Sequence, residues 1–370
     1  MINQARLVKT FAELVAIDSP SFGERAMCDK IIQHLQAIGI PSSEDDSAVK
    51  IGGTSGNLYA YLEGSLDLPP LLFSAHMDTV EPSQGKKPIF QPDGRITSDG
   101  TTVLGADDLS GVAAILEALT ALKESGKAHR PIEVLFDTAE EVYCVGIQQF
   151  DFSRIRSKEL YVFDLAGPVG GAAYQAPSIL SFQATFNGKA AHAAFSPEKG
   201  IHAIKAASAA AVRIDCGHVG NTTVNLGTIS GGSADNVVPE HCILTGEVRS
   251  FCDDDARVQL SKIQAWATEA AQEFGATVDF QTKTLCRAYR IDLESPVVQR
   301  FKKTCVELGL QPDLHQTYGG SDNNHFVPHG LSGLVLASGM TNCHSCGEFI
   351  RVDELKHAAD LALALILSKE

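Results

Sequence analysis

At roughly 100 to 200 residues per domain, a chain of 370 has room for two domains or for one large domain carrying an insertion. Its 44% hydrophobic and 20% charged residues exclude a disordered or fibrous class, and 45 acids against 30 bases give a formal charge of -15, which repels nucleic acid and anionic membranes. No apolar run approaches the ~18 residues of a membrane span, and nine scattered cysteines in so long a chain fit a reducing, cytoplasmic setting better than a disulfide framework.

The opening MINQARLVKTFAELVAID carries charges inside its apolar pattern and reads as an amphipathic helix, not a signal peptide. A second helix contains Ile31, Ile32, Leu35 and Ile38 and stops at Gly39. Apolar strands follow at Leu58 to Leu62, Leu71 to Ala75, Ile132 to Thr138 and Glu159 to Asp164, with a helix from about Leu109 to Glu124 between the second and third. This alternation predicts an α/β layer around a mainly parallel, largely buried sheet. Past Pro177 the style changes to longer, evenly alternating strands, SILSFQATFNG, TTVNLGTISGG and VVPEHCILTGEVRS, with helices at about Gly200 to Val212 and Asp254 to Phe274. From about Tyr289 the first style returns, with helix SPVVQRFKKTCVELG, strand GLVLAS and helix DELKHAADLALALIL. The expected organisation is an α/β catalytic domain at 1–177 and 288–370, interrupted by a smaller α+β domain at 178–287 with an antiparallel sheet and two helices.

There is no GxxxxGK[ST] loop, no GxGxxG after a strand, no GxSxG elbow and no HExxH. What remains is a series of acids and histidines just after strands, where open α/β sheets bind ligands. His76 and Asp78 follow LLFSA with the i, i+2 spacing that lets a carboxylate orient a ligating imidazole. Asp107 and Asp108 open a helix, where an acid also serves as a cap. Glu140 and Glu141 end IEVLFDTA; adjacent strand residues point to opposite faces, so both reach one site only if the chain bends. With such a bend one acid can hold a metal and the other stay free as a general base. Asp164 ends ELYVFD, and His344 comes shortly after GLVLAS. Cys343 and Cys346 form the one CxxC spacing, which lacks two further ligands for a structural zinc site and reads as ordinary loop cysteines.

His76-Met-Asp-Thr-Val, Gly105-Ala-Asp-Asp, Thr138-Ala-Glu-Glu, Asp164 and His344 resemble, in order and context, the M20 family of co-catalytic zinc metallopeptidases, closest to its peptidase T-like, tripeptide aminopeptidase branch. The likeness runs nearly end to end, through Ser98-Asp99-Gly-Thr-Thr, Gly188-Lys-Ala-Ala-His192, Pro197-Glu-Lys-Gly200 and Gly319-Gly-Ser-Asp322. The resemblance implies that His76 and Asp164 hold one divalent ion and Glu141 and His344 a second. Asp107 would bridge the two, Asp78 would orient His76, and Glu140 would be the general base toward a metal-bridging water. The ions would most readily be Zn, with Co or Mn able to take such sites. It also implies that the inserted domain is a lid and dimerisation domain, hinged near Pro177 and Arg287, and that the protein is a homodimer. His192 would stabilise the oxyanion, reaching across the dimer, while Asn236, Arg249, Gly320 and Ser321 would contact substrate. Departures border the ligands: Leu109 follows the Asp pair where Lys is usual, Val-Tyr-Cys follows the Glu pair, Leu-Ala follows Asp164, and Ser-Cys-Gly-Glu348 follows His344.

The leading expectation is a dinuclear hydrolase of peptide bonds in small peptides. An amidohydrolase of N-acyl amino acids would use the same site on a different substrate. A catalytically degenerate metal-binding protein on a peptidase scaffold is the reading from another class. A small peptide or amide is the expected partner in the first two, with no nucleic acid or membrane.

Overall fold

The computed structural model describes residues 1–369, which divide into two compact units. The first contains Met1–Gln175, Arg290–Thr317 and the chain from Ser321 onward; the second contains Ala176–Tyr289 together with Tyr318–Gly320.

In the first unit the apolar runs noted in the sequence become the centre of a nine-stranded sheet among the described residues. Its four central strands, in spatial order Ile132–Asp137, Leu71–His76, Glu159–Leu165 and Ser332–Ala337, run parallel. The first two are buried along their whole length, as expected of parallel strands covered on both faces. The margins differ: Leu58–Leu62 runs antiparallel to Ile132–Asp137 and Gly171–Ala176 antiparallel to Ser332–Ala337, so the sheet is mixed with a parallel core. Helix Ala106–Ser125 packs on Leu71–His76 and Glu159–Leu165, and helices Gln4–Val15 and Val352–Leu367 pack on it in turn. It is buried without a gap from Ala106 to Leu122, which explains a sequence apolar on every side. Farther along it, the buried Glu117 is neutralised by Arg6 of the first helix, Nε to Oε2 at 2.7 Å.

Register then decides where the chemistry goes. Leu71 lies opposite both Ile132 and Glu159, so His76, Asp137 and Asp164 end at one level, at the carboxyl edge where such sheets bind ligands. A small antiparallel hairpin, Met340–Thr341 with Phe349–Arg351, holds between its strands the loop carrying His344.

The second unit is an antiparallel sheet in the order Gly217–Val219, Thr222–Gly231, His241–Ser250, Ser178–Asn187 and Thr277–Cys286. Leu180, Phe182, Ala184 and Phe186 alternate inward from Ser178–Asn187, meeting Leu244 and Val248 and the alanine-rich faces of helices Ala203–Arg213 and Asp253–Glu273. Gly246 is required there, because a β-carbon would come within 2.6 Å of the Phe182 ring and 2.4 Å of the Asn225 carbonyl. All nine cysteines are free thiols, and among the described residues no helix is long and apolar enough to cross a membrane.

Candidate active site

His76, the last residue of its strand, is buried. Its Nδ1 lies 2.9 Å from the backbone carbonyl of Asp78. A carbonyl can only accept, so Nδ1 carries a proton and Nε2 is the ring nitrogen left to face the carboxylates. Nε2 faces Asp107 Oδ1 at 3.1 Å and Asp164 Oδ1 at 3.8 Å. Asp78 thus orients His76 through its main chain, its carboxylate being 3.5 Å from Nδ1. That carboxylate instead accepts from Ser21 Oγ at 2.6 Å and from the Glu140 and Glu141 amides at 3.0 and 3.2 Å.

The acid pair at the start of the long helix divides its work. Asp108 caps, taking the Gly111 amide at 3.2 Å and also the His76 amide at 3.3 Å. Asp107 stands in non-helical backbone (φ -79°, ψ 106°) and turns into the site, one oxygen toward each histidine: Oδ1 to His76, Oδ2 to His344 Nε2 at 3.3 Å. Gly111 lets this helix approach the Asp164 strand, since a β-carbon would fall 2.7 Å from the Phe163 carbonyl oxygen. The bend required before the glutamates is present at Ala139, whose φ is +53°. It brings Glu141 Oε2 to 3.0 Å from His344 Nε2. His344 itself has φ +60° in its hairpin loop and keeps a half-exposed ring. His76, Asp107 and Glu141 offer ligand atoms within 4.8 Å of one another, as do His76, Glu140 and Asp164.

Three groups absent from the expected set support this cluster. Glu348, buried four residues past His344, accepts from the Gly105 and Asp107 amides at 2.7 and 2.9 Å and so holds the backbone of the central carboxylate. The Cys144 thiol donates to Glu140 Oε1 at 3.1 Å. Glu24, fully buried, accepts from the Ala139 amide at 3.0 Å. The short spacing to His344 is the sequence signal for the first, whereas nothing local marks Glu24.

The protein groups alone cannot all be charged. Burial, reinforced by neighbouring carboxylates, pushes Asp164 and Glu141 up, and burial with Asp322, Glu141 and Asp78 pushes Glu140 up against the opposing pull of His76. Beside them Asp137 is raised by burial and by Asp322. Hydrogen bonds donated to the Asp107 and Glu141 carboxylates raise His344 to about 10. Burial opposes charge on Asp107, yet the His344 and His76 bonds outweigh it and hold that carboxyl well below the usual range. Such a cluster takes up positive charge, and Glu141 Oε1 is buried without a partner. Two imidazoles and three carboxylates form a hard, mixed N/O donor set that fits divalent Zn, Co or Mn.

The remaining expected residues lie elsewhere. His192 and Asn236 sit on exposed loops of the second unit joined by backbone bonding, with the Ala193 amide donating to the Asn236 carbonyl at 2.9 Å. His192 Nδ1 accepts from the Ala194 and Phe195 amides at 3.1 and 3.3 Å, so its proton is on Nε2. Arg249 is already engaged, pairing with Glu247 (Nε to Oε1, 2.7 Å) and donating from Nη1 to the Tyr318 carbonyl at 2.8 Å. It lines a cavity of about 370 Å³ with His218, Phe251 and Tyr318 in the same unit. Gly320 packs against Cys286 Sγ, which a β-carbon would meet at 2.9 Å. Ser321 belongs to the first unit, buried, with its amide donating to Asn324 Oδ1 at 3.0 Å.

Comparison with known proteins agrees with this geometry. Residues 174–274 match the peptidase dimerisation domain, and residues 57–208 match peptidase family M28. The chain is 34% identical over 367 residues to the uncharacterized protein YqjE of Bacillus subtilis, covering 99% of each. It superposes on a tripeptidase from Staphylococcus aureus with a TM-score of 0.93 at 32% identity, and on the aminopeptidase PepT from Bacillus cereus with 0.89 at 36%. In both cases 99% of this chain and 98% of the other are covered. With a metal-competent cluster at its sheet edge and full-length relatives of this kind, the chain belongs to the M20 family of metallopeptidases, in its peptidase T-like branch.

Proposed function

We propose that this peptidase, which hydrolyses small peptides, works as a dinuclear enzyme that removes residues from di- or tripeptides in the cytoplasm. The observation that carries the reading is the convergence of His76, Asp107, Glu141, Asp164 and His344 around one point, with Glu140 beside them. His76 and Asp164 would hold one ion and Glu141 and His344 the other, with Asp107 offering one oxygen to each side. When bound, zinc ions supply Lewis acidity and countercharge for the carbonyl oxygen of the scissile bond. Glu140 Oε takes a proton from the attacking water and returns it to the leaving amine. His192 Nε2–H is a donor suited to an oxyanion, and the Arg249 guanidinium to a peptide carboxylate. The match of residues 174–274 to a dimerisation domain supports a homodimer, which light scattering at micromolar concentration tests.

Digestion of a panel of di- and tripeptides and N-acyl amino acids, with Zn, Co or Mn added to metal-stripped protein, tests the function. Release of free amino acids from peptides only, dependent on metal, is the expected result. Hydrolysis confined to the acyl amino acids would replace peptidase by amidohydrolase. Metal uptake with no hydrolysis of any compound would make the chain a degenerate member.

A further inference from the structure

We propose that Glu24 is a positioning residue for the catalytic base and its neighbouring ligand, acting through the backbone of Ala139. The proposal rests on the reading in which Glu140 and Glu141 serve the metal centre. Glu140 and Glu141 can share one site only because Ala139, just before them, adopts a left-handed conformation that a residue with a β-carbon disfavours. Something must over-determine that turn. Three consecutive amides emerge from it, and each is taken by a buried carboxylate: Ala139 by Glu24 Oε1 at 3.0 Å, Glu140 by Asp78 Oδ1 at 3.0 Å, and Glu141 by Asp78 Oδ2 at 3.2 Å. Asp78 belongs to the loop after His76, but Glu24 arrives from 115 residues away, at the start of helix Arg25–Ala37.

Glu24 is itself held for the task. Its Oε1 also accepts the Phe22 amide at 2.8 Å, closing a turn in which Phe22 has φ +70° and the Gly23 amide bonds the Pro20 carbonyl at 2.7 Å. The same turn presents Ser21 to Asp78. The segment from Pro20 to Glu24 therefore grips both carboxylate supports of the turn. Both amide bonds fall on Oε1, so one oxygen of Glu24 holds the turn, while the Thr138 side chain lies against the same carboxylate. Removing that oxygen leaves the Ala139 amide buried and unpaired, and the turn can relax away from the geometry that aims Glu140 and Glu141.

The test uses the full-length protein and three substitutions. Glu24→Ala is expected to lower kcat by about 10- to 100-fold with KM changed less than about threefold. It should also shift the visible absorption of the cobalt-loaded protein, because Glu141 moves as a ligand; that readout does not depend on turnover. Glu24→Gln keeps an accepting oxygen at the same reach and should restore both kcat and the cobalt spectrum nearly to wild type. Glu24→Asp keeps the charge but is one methylene short and should resemble the alanine variant. The proposal is overturned if Glu24→Ala matches wild type in spectrum and kcat, if Glu24→Asp rescues and Glu24→Gln does not, or if the lost activity equals the lost folded fraction in a thermal melt. Where Glu24→Ala does not fold, the contrast between the Gln and Asp variants decides. If the wild type hydrolyses no peptide, the functional reading fails while the cobalt spectra still test Glu24.

Discussion

The two units hold their functional side chains in opposite ways. In the first, His76, Asp78, Asp107 and Glu140 are buried, and the backbone around them is pinned by carboxylates from distant segments: Glu24 on Ala139, Asp78 on Glu140 and Glu141, Glu348 on Gly105 and Asp107. In the second, His192 and Asn236 ride on exposed loops, and Phe195 beside His192 is 86% exposed. A site that must hold like charges close together needs a rigid surround, because every carboxylate left free to move would retreat from its neighbours. The role proposed for His192, one hydrogen bond to a developing oxyanion, needs a fixed tautomer and little else. The backbone amides on His192 Nδ1 provide that.

The sharpest test of this contrast is Glu140→Ala. Losing the proposed general base should lower kcat by roughly 10³- to 10⁴-fold, at the upper end of what one acid–base group contributes. Metal content, measured by elemental analysis, should stay at the wild-type stoichiometry because the pinned ligands do not depend on Glu140. A variant that turned over peptides at the wild-type rate would remove Glu140 from the mechanism. Next in size is His192→Ala, expected to lower kcat by about 10²- to 10³-fold, as for other single oxyanion donors. Its KM and thermal midpoint should be nearly unchanged, since the ring is exposed. A large drop in the midpoint would mean that the loop is structural.

The rigid half was the more legible of the two in the sequence, for a physical reason. Parallel strands buried on both faces write themselves as apolar runs, and their register brings the residues that end them to one edge, so His76 and Asp164 were placed by pattern. The Asp107-Asp108 pair was ambiguous because both meanings are true, one residue capping and the other entering the site. Glu24 left no local trace, since an acid before a helix is ordinary and its partner lies 115 residues on. The segment Tyr318–Gly320 joins the second unit through contacts with Arg249 and Cys286 that no periodicity records, and the antiparallel margins of the first sheet were likewise hidden.

Acidity should act on metal binding in the first unit. In the metal-free protein the bonds it donates to the Asp107 and Glu141 carboxylates raise His344 to about 10, above its ordinary value, so its protonated form is the favoured one at neutral pH. That contribution to stability is complete below about 6.5 and is lost as pH rises through 10. A metal must displace this proton and those that burial favours on Glu141 and Asp164, so its apparent affinity should fall by at least about tenfold for each unit of pH lowered between 8 and 6. The rise in melting temperature on adding Zn should therefore be larger at pH 8 than at pH 6. An equal rise at both would show that His344 is no ligand. His344→Ala should flatten the dependence.

Arg249→Ala should give the smallest of these effects, and the reason is visible in its contacts. Its Nε and Nη2 already meet the Glu247 carboxylate and its Nη1 the Tyr318 carbonyl, so a substrate carboxylate finds a guanidinium that is largely neutralised and part-exposed. A partly solvated pair of this kind contributes up to about 1 kcal/mol. The expected change is a rise in KM of about fivefold for peptides with a free carboxyl terminus, with kcat unaltered. The same peptides with an amidated terminus should show no difference between wild type and variant. Glu247→Gln should act in the reverse direction, lowering KM for the free carboxylate, because it returns a full positive charge to Arg249. If Arg249→Ala weakened amidated and free peptides alike, the guanidinium would be holding the Tyr318 segment in place and not recognising the substrate's charge.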